Sequence, residues 1–263
     1  SFAAPIVSGV CALIKSINPC LTPGQVEEII KLTADPVADE NQYNGKLGAG
    51  RINAYHAVEY AQENFGYDIY IIENGQDTTW NTDIQAKNIR IETGGKLTIK
   101  STVYMLPECE IIVEIGGELV VEGGHITTCK GLWEGIQVWG QADHDQFYFQ
   151  NQGHLKLING ATIENAKVGV QLVKSDSSGL YPNSSGGLIQ ADNAKFVNCV
   201  TSVFFYPYEN FLFDKNNIQP NLSFLSYCTF ILDSNYYHVF ENPKHFIYLE
   251  SVRGIMIKGC SFI

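Results

Sequence analysis

The spacing of apolar residues changes near residue 67. Before it, apolar positions recur at helical intervals. After it, they come in short runs separated by paired glycines. Residues 2–17 are apolar on every side, through Ala3, Ala4, Ile6, Val7, Val10, Cys11, Ala12, Leu13 and Ile14. Such a pattern predicts a helix buried all round. Pro5 is tolerated because the first turn has no intrahelical use for its N–H. Thr22-Pro23-Gly24-Gln25 reads as an N-cap, a proline at the first helical position and a capping-box glutamine. The helix it opens places Val26, Ile29, Ile30 and Thr33 on one face. A loop over 35–50 leads to a third helix over 53–64, with Ala54, Ala57, Val58 and Ala61 as its inner stripe. Three helices of this kind do not close a core, so the first needs a cover from further sequence.

From 67 onward the runs are Tyr70-Ile71-Ile72, Ile89-Arg90-Ile91, Leu97-Thr98-Ile99, Ile111-Ile112-Val113 and Leu119-Val120-Val121. Gly94-Gly95, Gly116-Gly117 and Gly123-Gly124 separate them as turns. GGKL at 94–97 returns as GGEL at 116–119, a repeat of 22 residues. A longer repeat aligns Ile126, Ile163, Phe196, Phe230 and Phe262, spaced 32 to 37 residues apart. A second row runs beside it in Gly135-Ile136-Gln137-Val138, Gly169-Val170-Gln171-Leu172 and Ser202-Val203-Phe204-Phe205. Short strands recurring at this interval, with one inward position aligned from repeat to repeat, predict a parallel β-helix. Segments 141–152, 174–185 and 206–221 then become loops leaving the coil on one side. The expected fold class is mainly β, a parallel β-helix preceded by a short α-helical segment. The expected divisions are 1–66, entry strands over 67–88, and the coil over 89–263.

Charge narrows the partners. The net charge of −11 argues against nucleic acid or an anionic membrane surface. No apolar run approaches the roughly 20 residues of a membrane span. Seven cysteines show no zinc spacing, so neither a metal nor a cofactor is expected. Cys228 and Cys260 stand two places before their anchors, where the other repeats carry Ala161 and Ala194. Cys129 and Cys199 stand three places after, with Ala166. These read as free thiols in columns of small inward side chains, with a Cys228–Cys260 bridge left open. Cys11 is read as an apolar filler on the first helix. Asn165 and Asn198 match in position and suggest an amide ladder at a corner.

The ordered set SFAAPIVSGVCALIKSINPCLTPGQVEEIIKLTA followed by GAGRINAYHAV resembles the C-terminal part of a subtilisin-like serine protease catalytic domain. In that family the nucleophilic serine lies in a Gly-Thr-Ser-(Met/Phe)-Ala-x-Pro motif at the start of a buried helix. Ser1, Phe2, Ala3 and Pro5 match it, and the resemblance covers about the first quarter of the chain. It implies that Ser1 is the nucleophile, with the helix start directing N–H groups and the positive dipole end toward an oxyanion. Serine needs a histidine base and an orienting aspartate. Nothing before Ser1 supplies them, so the chain is expected to be a fragment, inactive alone and truncated at both ends. The alternatives for Ser1 are a serine that merely starts a helix and a serine using its own α-amino group as base.

The repeats resemble right-handed β-helix proteins of the pectin-lyase type, and the handedness is implied by that resemblance. His56 is a candidate stand-in base, read instead as a surface or satisfied histidine. His125, His144, His154, His238 and His245 are scattered. Trp133, Trp139, Tyr148, Tyr206 and Tyr208 are candidates for a sugar-binding groove, read chiefly as packing. Asp143, Asp145, Asp176, Asp192 and Asp214 form no visible cluster, although a polysaccharide lyase or hydrolase needs one.

The resemblances imply a secreted or cell-surface serine endopeptidase acting on protein or peptide. In it the β-helix is a stalk or a surface for the cell envelope or polysaccharide. Two alternatives stand beside it: a carbohydrate-active or carbohydrate-binding β-helix, and a non-catalytic adhesin.

Overall fold

The computed structural model describes residues 2–37, 46–212, 214–236 and 242–263. The chain divides into two compact units, 1–68 and 69–263. The first holds α1 (Ala3–Ile17), α2 (Pro23–Leu32) and α3 (Ala54–Phe65). Thr22 caps α2 with a complete capping box, and Asn53 caps α3 by accepting from the backbone N–H of His56. The core of this unit is Val10, Ile14, Leu21, Val26, Ile29, Ala57 and Ala61. Of the predicted stripes, Val26 and Ile29 of α2 and Ala57 and Ala61 of α3 are buried, with Ile30 partly so, while Ala54 at the start of α3 is exposed.

The expected burial of α1 on all sides is not found. Val10 and Ile14 are buried, but Phe2 is 91% exposed, Ile6 60% and Leu13 49%. Two short neighbouring helices cover one stripe of a third, which leaves its remaining apolar faces open.

The second unit is mainly β and solenoid-like. One seven-stranded sheet pairs Asp77–Trp80, Lys96–Ile99, Glu118–Glu122, His154–Ile158, Leu188–Asp192, Phe224–Ser226 and Met256–Lys258 in that order, all parallel. A thirteen-stranded sheet extends in two directions from the long strand Ile84–Ile91, which also pairs with Asp68–Ile72. In one direction follow Thr102–Met105, His125–Thr127, Thr162–Glu164, Lys195–Val197, Thr229–Ile231 and Ser261–Phe262. In the other follow Glu110–Val113, Trp133–Val138, Ala166–Gln171, Thr201–Phe205 and His245–Leu249. From Lys96 onward, successive strands visit these three rows in rotation.

The repeat alignment is reproduced as register. Ile126 pairs with Ile163, Ile163 with Phe196, Phe196 with Phe230 and Phe230 with Phe262. Leu97 pairs with Leu119, as the GGKL and GGEL repeat requires. In the second row, Ile136 pairs with Val170 and Val170 with Val203. All of these but the terminal Phe262 are buried, because each inward side chain lies against its counterpart on the next turn. The solvent face carries a matching ladder of charges. Lys96 Nζ lies 3.5 Å from Asp77 and 3.9 Å from Glu118, whose other oxygen takes Lys156 Nζ at 2.6 Å. Slipping the register by one residue would put every inward apolar group outside, so both faces specify the same pairing.

Corners use residues that accept positive φ. Asn165 and Asn198 have φ of 57° and 53°. Their amides do not form the expected ladder. Asn165 Nδ2 donates to Thr127 Oγ1, while Asn198 exchanges two hydrogen bonds with Asp233 at 2.9 and 3.0 Å. The cysteine columns hold in part. Cys199 and Cys228 are buried, and both are free thiols, as is Cys260. Burial pushes the Cys199 thiol up to about 12 and that of Cys228 to about 11. Cys129 departs from its column, being exposed and disulfide-bonded. Asn165 and Asn198 turn the corner at positive φ directly before Ala166 and Cys199, whereas Thr128 before Cys129 does not and the chain runs on through Gly131 to the next strand at Trp133.

The three insertions meet, as expected of loops leaving one side. Gln146 joins them, donating from Nε2 to Gly186 O and accepting from Leu222 N, while its own N–H donates to Asn210 Oδ1. Tyr208 Oη donates to His144 O at 2.7 Å.

Candidate functional site

Ser1 lies outside the described residues. The segment that follows it is described: α1 starts at Ala3, Pro5 falls in its first turn, and that turn carries no acidic side chain. The positive end of the helix dipole is therefore not offset by a local carboxylate. Phe2 and Ala3 to Pro5 are all exposed.

His56 is engaged in closing the helical unit. Its Nδ1 lies 3.0 Å from Asn53 Nδ2 and 3.8 Å from Asp35 Oδ1. Asp35 also accepts from Asn53 Nδ2 and from Arg51, each at 3.0 Å. Those hydrogen bonds, Asn53 first and then Arg51, hold the Asp35 carboxyl below its ordinary value. This is a bracket tying the loop to the cap of α3. The other histidines are dispersed as expected. His125 Nε2 lies 2.8 Å from Glu164 Oε2, which holds that carboxyl down. His144 pairs with Asp143, and His154 stacks on Phe149 and is pushed down by burial. His245 contacts Tyr248, and His238 lies outside the described residues. Among the described residues no group of histidine, cysteine and carboxylate side chains is placed to hold a metal.

The candidate aromatic groove does not assemble. Trp133 is fully buried, with Nε1 donating to Glu164 O, and Tyr208 is buried under the loops. Trp139 lies between two cations, 5.6 Å from Arg90 and 4.6 Å from Lys174. Tyr206 packs against Phe204, and Tyr148 stays half-exposed.

The aspartates behave individually. Asp145 is buried and caps the N–H groups of Phe147 and Tyr148, while Asp192 is exposed at a strand end. The side chain of Asp214 lies outside the described residues. Asp176, however, lines a cleft of about 490 Å³ together with Glu108, Glu110 and Glu134. A carboxylate cluster that was not expected is therefore present. Its floor is the row of Glu110–Val113, Trp133–Val138 and Ala166–Gln171, and Gln137 and Gln171 are direct partners in it. Its wall is the antiparallel hairpin of Lys174–Asp176 with Gly179–Tyr181. Gly135 is required there: its φ is 113°, and a Cβ would meet Val168 O at 1.6 Å. The register shift between Val168 and Val170 opposite it is the bulge that this geometry creates. Gln137 spans the floor, donating to Glu110 Oε2 at 2.6 Å and accepting from Trp139 Nε1 at 2.9 Å. Burial raises the Glu110 carboxyl above its ordinary value, with Glu134 and Asp176 adding repulsion. The alignment of Gln137 with Gln171 was readable from the repeat. The arrival of Asp176 depends on the hairpin and was not.

The molecule thus joins a solenoid-like β unit to a helical unit that opens on a serine motif. Residues 1–51 match the model of the subtilase family. Relatives include kexin of Candida albicans, 38% identical over 72 residues, which is 24% of this chain and 8% of the relative. Serine protease AprX of Bacillus subtilis is 43% identical over 58 residues, 22% of this chain and 13% of the relative. The calcium-dependent protease of a Nostoc species is 36% identical over 107 residues, 38% of this chain and 16% of the relative. The chain thus spans less than a fifth of the length of these relatives. No solved structure matches it.

Among the described residues no helix is long and apolar enough to cross a membrane.

Proposed function

We propose that this chain is part of a subtilisin-like serine endopeptidase, with Ser1 as its nucleophile. The observation that carries this is the match of residues 1–51 to the subtilase family, beginning on Ser1-Phe2-Ala3-Ala4-Pro5. In the mechanism, Ser1 Oγ attacks a peptide carbonyl as a histidine takes its proton, and an aspartate orients that histidine. The N–H groups at the start of α1 favour the developing oxyanion. In the family's order the aspartate and histidine precede the serine, and His56, which follows Ser1, is held by Asn53 and Asp35. The 263 residues alone are therefore inactive, and activity needs the aspartate, histidine and oxyanion asparagine from sequence outside them. The division falls near 66. Beyond it lies a right-handed parallel β-helix, a stalk or binding module of a secreted or cell-surface protein. Three strand rows visited in rotation support the coil, and the acid-lined cleft favours binding over a pure spacer.

The test is labelling with a fluorophosphonate. A protein extending upstream of Ser1 should label and cleave casein, its Ser1→Ala variant should do neither, and the 263 residues alone should not label. A longer protein that carries the Asp and His motifs and still fails to label would overturn the reading.

A further inference from the structure

The cleft against the Glu110–Val113, Trp133–Val138 and Ala166–Gln171 row is lined by four carboxylates, Glu108, Glu110, Glu134 and Asp176, and among the described residues by no lysine or arginine. Gln171 is only 8% exposed, yet among the described residues nothing donates to its Oε1. Its orientation is not free to change, because Nε2 is committed to Val173 O at 2.9 Å and Ser175 Oγ at 2.7 Å. A buried acceptor without a donor is costly, so this oxygen calls for a donor from outside the chain. Beside it, among the described residues the Glu110 carboxylate takes one hydrogen bond, from Gln137, whose own amide is fully used by Trp139, Ser175 and Glu110. Glu134 pairs with Lys167, but among the described residues no lysine or arginine pairs with Glu108 or Glu110. Burial and the nearby Glu134 and Asp176 all disfavour the charged form of Glu110, which a cation in the cleft would relieve.

We propose that this cleft binds a guanidinium group, such as an arginine side chain presents. Guanidinium carries five donors in a planar fork, suited to an amide oxygen and carboxylates side by side. An ammonium is a compact, strongly hydrated charge that fits such a set less well. An anionic polysaccharide would be repelled. The site lies wholly within the β unit and does not depend on the protease reading.

The experiment is calorimetric titration of the 263-residue chain with acetyl-arginine amide, with a Gly-Arg-Gly peptide, and with their lysine counterparts. We expect one saturable site that takes the arginine compounds about tenfold or more tighter than the lysine ones. A stronger response to the peptide assigns the ligand to a protein segment, and an equal response to a small guanidine; both support the site. Glu110→Gln and Gln171→Met should each weaken binding about tenfold, while Glu27→Gln on the exposed face of α2 removes the same charge without effect. Circular dichroism of both cleft variants checks that they fold. Absence of saturable binding, equal affinity for arginine and lysine, or binding unchanged in both cleft variants would overturn the proposal. So would binding of a neutral oligosaccharide in place of the guanidinium compounds.

Discussion

Phe196 and Phe230 stand on consecutive turns with ring centroids 5.0 Å apart and planes 5° from parallel. Phe262 continues the stack beyond Phe230, again at 5.0 Å. In-register parallel pairing imposes this arrangement, since like positions lie above one another at the strand spacing.

Phe230→Ala should therefore remove the middle of a stack. Phe230 is fully buried, and truncation leaves a cavity between Phe196 and Phe262. A loss of about 3–5 kcal/mol is expected in urea denaturation followed by near-ultraviolet circular dichroism. A loss below about 1 kcal/mol would mean that the stack is not a closed core.

The corner at Asn198 separates backbone from side-chain effects. Asn198→Ala both strains the left-handed backbone and removes two hydrogen bonds to Asp233, for about 2 kcal/mol in denaturation. Asn198→Gly relieves the strain and should lose less. Equal losses would assign the whole effect to the Asp233 contact.

Glu110 gives a pH dependence of known sign. Its native pKa is raised above the ordinary 4.5, so the folded state holds this proton more tightly than the unfolded state does. The stability it contributes is present below the unfolded value and is lost as pH rises through the native one. Glu110→Gln removes that loss while keeping an oxygen for Gln137. The variant should gain stability on the wild type over the pH range above the unfolded carboxylate value. Melting temperatures across that range check it, and a gain that grows toward low pH would contradict the sign.

Thr22 tests the helical unit. Thr22→Ala removes one side of the capping box of α2 and should cost about 1 kcal/mol. Hydrogen exchange at Gln25 is the direct readout, because its N–H donates to Thr22 Oγ1.

The sequence by itself determined the repeat. Ile126, Ile163, Phe196, Phe230 and Phe262 could be aligned before any coordinates because each turn makes the same demand of its inward position. The capping box of α2 was legible for a similar reason, as its partners are three residues apart. The match of residues 1–51 to the subtilase family was legible as a motif.

Tertiary structure decided what lies beside what. The apolar pattern of α1 marks it as a helix to be covered, but it does not say which faces α2 and α3 reach, and Ile6 and Leu13 remain open. Cys129 shares a repeat position with Cys199, yet it lacks the positive-φ asparagine that turns the corner before Cys199, and only Cys199 is buried. The cleft is the clearest case. Glu110 and Asp176 are far apart in the chain, and they meet because strand pairing stacks their turns and a hairpin of irregular length folds back. Inward positions obey a period set by the coil, and period is visible in sequence. Lateral neighbours depend on loop lengths and turn directions, which follow no period and emerge only when the chain is folded.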